Sequence, residues 1–98
     1  MSATNLVNYE VLTSGVSVYK NQSEAIENVM ATLATMNGEL QGGWQNETAN
    51  AFINMYNEKY APALKEAANA LAEISAYIAK YMTARQEEDA AGAAGLGC

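Results

Sequence analysis

The chain has 98 residues, 50% of them hydrophobic, and a formal net charge of -6 at pH 7. This length suffices for one small domain with a limited core. The acidic balance and the scattered positions of the five Lys and Arg residues argue against nucleic acid and against an anionic membrane surface as partners. Because the chain has no His, it lacks the usual metal ligand and general base.

The first helix is predicted from about residue 9 to about residue 40. Asn8 precedes it as a candidate N-cap, and Glu10 falls in its first turn. Apolar residues recur along this segment at alternating steps of three and four, which is typical of one long helix with a heptad seam. A second apolar stripe runs beside that seam: Val11, Val18, Ala25, Val29 and Met36.

Residues 41–46 are predicted to form a turn. Gly42 and Gly43 take positive φ at no steric cost, so we expect them to end the first helix and to turn the chain. Asn46 tolerates the left-handed region and is also a good N-cap for the following helix. Trp44 lies between these signals, and we expect its ring to cap the seam between the helices. The alternative is an exposed anchor for a partner.

The second helix is predicted from about residue 47 to about residue 86, with a matching heptad pattern. Pro62 lies inside it, and because the pattern continues on both sides, we expect a kink and not a break. Residues 87–98 lose the pattern and turn acidic, then rich in Gly and Ala, which predicts a flexible tail. The single Cys, Cys98, is either incidental or a covalent dimerisation site.

A short connection between two long helices forces them into an antiparallel hairpin, so the predicted fold class is all-α, with residues 1–86 forming the hairpin. Two helices enclose no interior, and their flanking stripes stay exposed in a single hairpin. A second hairpin would cover them, most simply in a dimer that forms a four-helix bundle. The predicted dimer interface takes residues from both helices: Val11, Val18, Val29, Met36, Tyr56 and Tyr60.

Catalysis has little support in the sequence. The chain shows no nucleophile and base pair, no Gly-rich phosphate loop and no carboxylate pair on an apolar face. A two-helix hairpin also lacks the concave pocket that enzyme sites need. We therefore expect no enzymatic activity, no cofactor and no metal site.

Several features occur together here: a Trp in the turn of a helical hairpin, Phe52 eight residues after Trp44, and flanking heptads. We also expect no signal peptide, because the first residues lack a basic flank and an apolar core. In this combination the chain resembles the WXG family of ESAT-like proteins, which are small substrates of bacterial type VII secretion systems. The family turn is Trp-x-Gly, whereas this chain has Asn46 at the Gly position. Asn is the best non-Gly occupant of a left-handed position, so we expect the turn to be kept. The turn motif then comprises Gly43, Trp44, Asn46 and Phe52.

The resemblance implies association and export. Family members work as homodimers or as heterodimers with a related hairpin, and they bind the secretion ATPase through the C-terminal segment. Their export signal places a Tyr four residues before an acidic residue, whereas Tyr81 is followed at that distance by Arg85. Glu87 comes two residues later, so Tyr81 and Glu87 are the candidates for a degenerate signal. The implied localisation is secreted, by the leaderless type VII route, with a cytoplasmic pool.

Two functions stay open at this stage. The chain is a secreted, virulence-associated effector or the companion of a co-secreted partner. The alternative is an intracellular adaptor that binds the helices of a larger toxin or surface protein. Activity on membranes is not expected, since the protein is acidic and no apolar run approaches membrane-spanning length.

Overall fold

The computed structural model describes residues 6–97, and every regular element in that range is helical. Helix α1 spans Tyr9–Gly43, and helix α2 spans Glu47–Met55. A π-helical turn, Tyr56–Tyr60, connects α2 to helix α3, which spans Ala61–Gly97. The second arm runs antiparallel to α1, and the molecule measures 75 × 26 × 17 Å. The predicted all-α helical hairpin is confirmed.

Helix α1 begins and ends with identifiable hydrogen bonds. Asn8 is the N-cap, as predicted, and its side-chain oxygen accepts from the N–H groups of Glu10 and Val11 at 3.0 and 3.2 Å. At the other end the N–H of Trp44 donates to the Leu40 carbonyl at 2.8 Å. Because the chain leaves the helix through extended backbone at Trp44, no left-handed residue is needed there.

The predicted positive φ at Gly42 and Gly43 was therefore wrong. Both glycines lie inside α1, which ends three residues later than expected, and no residue in the described range has a positive φ. The same correction applies to Asn46, whose φ of -160° and ψ of -180° are extended. This conformation makes Asn46 the N-cap of α2, because its side-chain oxygen reaches the N–H of Ala49 at 2.9 Å.

The second arm stays helical on both sides of Pro62. The N–H of Ala61 donates to the carbonyl of Tyr56, five residues earlier, so an extra residue is accommodated just before the proline. Such a turn suits a position where Pro62 cannot supply a backbone donor. Helical backbone also continues through residues 87–97, where the sequence predicts a tail; the mobility of that tail stays a prediction. Cys98 and residues 1–5 lie outside the described residues.

The interior of the hairpin is only partly enclosed. The buried apolar side chains of the described residues are Ala49, Ile53 and Ala68, and no large side chain among them is fully buried. Larger residues of the seam, such as Leu33 and Leu71, are half-buried. None of the described helices is long and apolar enough to cross a membrane.

Two serine hydroxyls bind α1 to α3 across the seam. Ser23 Oγ donates to the Ala68 carbonyl at 2.7 Å, and Ser75 Oγ donates to the Val16 carbonyl at 2.8 Å. Both serines are buried, so each hydroxyl needs this partner, and each bond contributes about 0.5–1.5 kcal/mol to stability. Because a hydroxyl is short, the two backbones approach closely, and the two bonds fix the register of the hairpin.

A third contact joins the first turn of α1 to the last part of α3. Tyr9 Oη donates to Asp89 Oδ2 at 2.8 Å, and Arg85 Nε lies 3.6 Å from the other carboxylate oxygen. Partial desolvation and the hydrogen bond to Asp89 raise the pKa of Tyr9 above its ordinary value of 10.0. The protonated phenol is therefore the form that the folded hairpin favours.

The raised pKa of Tyr9 predicts that the stability of the hairpin depends on pH. A raised folded-state pKa gives stability that is fully present below the unfolded-state pKa and is lost as the pH rises through the folded-state pKa. The free energy of unfolding should therefore fall more steeply above pH 10.0 in the wild type than in Tyr9→Phe, as measured by urea unfolding across alkaline pH. Tyr19→Phe, which keeps the contact of Tyr9 and lies outside the surfaces discussed below, is the matched control and should show the steeper fall of the wild type. Equal slopes for the wild type and Tyr9→Phe would contradict the assignment.

Candidate interaction surface

Exposed apolar side chains form a stripe along one side of α1. Val11 is 64% exposed, Val18 is 55% exposed, and Val29 and Met36 are close to half exposed. Each residue advances about 100° around a helix, so steps of seven and four return almost to the same side. Val11, Val18, Val29 and Met36, together with Ala25, therefore share one side of α1, next to the seam.

Helix α3 carries a corresponding stripe. Ile74 and Tyr81 are exposed, and Tyr77 is 74% exposed. Ala63, Ala67 and Ala70 continue this side of the helix towards the π-helical turn, and all three alanines are exposed.

The two stripes lie on the same side of the hairpin. The serine bonds place Val16 beside Ser75 and Ser23 beside Ala68, and this register brings Val11 next to Tyr81. Val11 and Tyr81 indeed line one groove at the open end of the hairpin. We call the combined surface the apolar face; its members are Val11, Val18, Ala25, Val29, Met36, Ala63, Ala67, Ala70, Ile74, Tyr77 and Tyr81.

The members of the apolar face carry no charge, although Lys80 borders it beside Tyr77 and Tyr81. Charged side chains also lie on the other side of the seam. No member of the apolar face is ionised at neutral pH, since its most polar group is the tyrosine hydroxyl. On the opposite side Lys65 Nζ and Glu27 Oε1 bridge the two helices at 3.5 Å, with both side chains more than half exposed. Such an exposed pair contributes little stability, but it shows that the two sides of the hairpin differ in polarity.

The predicted interface residues divide between two places. Val11, Val18, Val29 and Met36 lie on the apolar face, as described above. Tyr56 is half-buried and Tyr60 is exposed, and both belong to the π-helical turn, where Lys59 Nζ lies 5.4 Å from the centroid of the Tyr60 ring.

Two exposed residues of α3, Ile74 and Tyr77, were not among the residues predicted for the interface. The predicted heptad pattern continues through Pro62 without a change of phase. In the structure, the extra residue of the π-helical turn rotates α2 relative to α3 by about 100°, so different residues of α3 face the seam. A hydrophobic pattern shows apolar positions but not such a change of phase. The available signal in the sequence was the pair Tyr77 and Tyr81, four residues apart after Pro62.

The residues of the turn motif come together at the closed end. Gly43 is the last residue of α1, and Asn46 caps α2. Trp44 lies between these two residues, and its ring packs against that of Phe52 in α2. The ring centroids are 5.9 Å apart, with an interplanar angle of 38°. Trp44 is half-buried, so its ring covers the end of the seam and still presents part of its surface to solvent.

The two candidate signal residues are not brought together. Tyr81 lies on the apolar face, and Glu87 is exposed further along α3. Six positions separate them, which places the side chains about 120° apart around the helix. Two residues further along share a side with Tyr81: Arg85, about 40° away, and Glu88, about 20° away. The Nε of Arg85 lies 3.6 Å from Asp89.

The described residues contain no group of three or more acidic or Cys side chains that could hold a metal ion. The features that stand out are an antiparallel hairpin, an aromatic pair in its turn and an uncharged apolar face along both arms. Together they define a small helical-hairpin protein with one extended apolar face exposed.

Comparison with known proteins gives the family. The model of the WXG100 family, described as proteins of 100 residues with WXG, matches residues 6–90. This match covers most of the chain, so the protein belongs to the WXG100 family and is a small helical protein of the type VII secretion kind. No curated protein and no solved structure matches the chain. The resemblance that the turn and the heptads indicate is confirmed.

The aromatic pair predicts a stability loss at the turn. Trp44→Ala removes a half-buried ring and its contact with Phe52, so we expect a loss of about 2 kcal/mol, below the roughly 3–5 kcal/mol of a fully buried aromatic. Trp44→Phe, which keeps a ring against Phe52, is the matched control and should lose less. Urea unfolding followed by circular dichroism measures both, and a loss of under about 0.5 kcal/mol for Trp44→Ala would show that the ring contributes no packing.

Proposed function

We propose that the chain acts by protein association as a substrate of type VII secretion, exported as an effector or as the companion of a co-secreted partner. The proposal rests on the apolar face, which runs along both arms of the hairpin. It also rests on the small core, because no large side chain of the described residues is fully buried. In this proposal a second hairpin completes the core that two helices cannot enclose.

A second copy of this chain is the partner that we propose. The protein carries a net charge of -6, so two copies repel each other unless their contact surface is free of charge. The apolar face meets that condition. It is equally suited to a related hairpin, and a heterodimer is the alternative within the same function.

The size of the apolar face supports a stable contact. From Val11 to Met36 the face is roughly 38 Å long at 1.5 Å per residue, and two helices packed 8–10 Å apart make it roughly 18 Å wide. Its area is thus roughly 700 Å², close to the roughly 800 Å² that each partner contributes to an interface of standard size. Covering it with a second hairpin gives a four-helix bundle.

Recognition by the secretion ATPase is proposed for the C-terminal part of α3. Family resemblance carries this step, with Tyr81 and Glu87 as the candidate contacts. The structure supplies one supporting feature, because α3 is helical beyond Asp89 and up to Gly97. A helical end of this kind can be bound in the groove of a partner. Secretion with a cytoplasmic pool before export follows from the same proposal.

If two copies associate through the apolar face, a charge placed on that face should lower the mass of the protein in solution. Val18→Glu places one carboxylate in the middle of the apolar face, and in a symmetric dimer it buries two, so we expect the dimer to dissociate. Sedimentation equilibrium should give a mass near 10.4 kDa for Val18→Glu and twice that mass for the wild type. Thr13→Glu, on the exposed opposite side of α1, is the matched control and should stay dimeric. An unchanged mass for Val18→Glu would remove the apolar face from the interface.

The proposed export predicts where the chain accumulates in a bacterial culture. A tagged chain should reach the culture supernatant in a parent strain and stay in cells that lack the secretion ATPase, with a cytosolic marker as leakage control. Glu87→Gln should lower the exported share several-fold because it removes the candidate acidic contact, whereas Glu66→Gln, an exposed glutamate far from Tyr81 on α3, should not. Retention of the wild-type chain in both strains would overturn the substrate role and favour the intracellular adaptor.

A further inference from the structure

A groove lies beside Trp44 at the closed end of the hairpin and has a volume of about 390 Å³. Its floor consists of Ala49 and Ile53, which are both buried. Around this floor stand the other lining residues: Gln41, Trp44, Gln45, Asn46, Glu47 and Asn50. We call it the turn groove. The volume is within the range of small-molecule sites, so the expectation that a hairpin offers no concave site does not hold for binding.

The turn groove and the apolar face are on different sides of the molecule. Phe52 packs against Trp44 but is not among the residues that line the groove. In the helical projection of α1, Gln41 lies about 140° from Met36, away from the apolar face. A second hairpin seated on the apolar face would leave the groove open.

Several polar groups at the rim have no partner within the described residues. Two side chains are occupied, since Asn46 Oδ1 accepts from the N–H of Ala49 and Gln45 Nε2 donates to the Gly42 carbonyl at 3.3 Å. The side chains of Gln41, Glu47 and Asn50 make no such bond, although all three are exposed and line the same groove. The indole N–H of Trp44 is also without a partner in the described chain.

The chemistry of these groups selects an uncharged ligand. Carboxamides donate and accept, and the Glu47 carboxylate accepts, which together suit hydroxyl and acetamido groups. No basic residue lines the groove, and the carboxylate of Glu47 at the rim disfavours an anionic ligand. Glu47 lies in the first turn of α2, where the helix dipole offsets part of its charge and weakens the attraction for a cation.

We propose that the turn groove binds a neutral saccharide, with one sugar ring against the indole of Trp44 and its hydroxyl or acetamido groups hydrogen-bonded to Gln41, Asn50 and Glu47. The indole supplies a flat apolar surface next to polar side chains, and a sugar ring has an apolar face with hydroxyls at its edge. This site is independent of the secretion function proposed above, because it uses none of the apolar face and none of the C-terminal segment.

Fluorescence titration tests the proposal directly, because Trp44 is the only Trp in the chain. The probes are chitotriose and cellotriose, both uncharged, titrated into the full-length chain up to millimolar concentration. We expect a saturable change in Trp44 emission with at least one of them. Asn50→Ala should raise the Kd by about 3- to 10-fold, which corresponds to one lost hydrogen bond. Asn69→Ala, an exposed carboxamide remote from the groove on α3, is the matched control and should keep the wild-type Kd.

Three results would overturn the proposal: no emission change with either sugar, an unchanged Kd in Asn50→Ala, or a response only to an uncharged Gly-Ser peptide. The last result would make the groove a peptide site. Val18→Glu separates this test from that of the apolar face, because it should bind the sugar as the wild type does even where it no longer dimerises. Loss of sugar binding in Val18→Glu would show that the groove depends on the dimer and would contradict the independence claimed here.

Discussion

The structure depends on one geometric constraint: two helices share a single seam and cannot surround a core. In this chain the constraint is visible in the burial of individual side chains, because Ala68 is fully covered while Leu33 and Leu71 on the same seam are only half-buried. The hairpin compensates with short polar contacts. Buried Ser23 and Ser75 each reach a backbone carbonyl of the opposite helix, which sets the register where apolar packing alone would let the helices slide.

That register gives the molecule two different sides. Because the serine bonds bring Val11 beside Tyr81, two stripes that are separate in the sequence become one apolar face. The exposed pair of Glu27 and Lys65 lies across the seam from it. The fold therefore leaves one extended apolar face exposed in this member of the WXG100 family.

The sequence predicted the helices and the hairpin well, because heptad spacing over long segments and Asn8 as an N-cap are strong local signals. The turn was harder. Gly42 and Gly43 permit positive φ but do not require it, and the extended backbone of Asn46 allows a side-chain cap instead. Composition therefore predicts a turn here but does not determine which backbone conformation the turn adopts.

The candidate sites were less predictable for related reasons. The π-helical turn before Pro62 changes the helical phase, so the exposure of Ile74 could not be obtained from a heptad count. The turn groove combines Gln41 with Asn50 from different helices, and only the folded turn brings them together. Polar residues near a turn are common in sequences, and their convergence beside Trp44 is a property of the three-dimensional structure.

The central claim is that the apolar face of one chain packs against a second copy. An isotope-filtered NOE spectrum of a mixture of labelled and unlabelled chains measures this directly, because it reports only contacts between chains. The account predicts intermolecular NOEs from the methyl groups of Val18 and Val29 to methyl or aromatic protons of α3, including those of Ile74 and Tyr77. Intermolecular NOEs confined to the opposite side, for example at Thr13, or their complete absence at millimolar concentration, would contradict it.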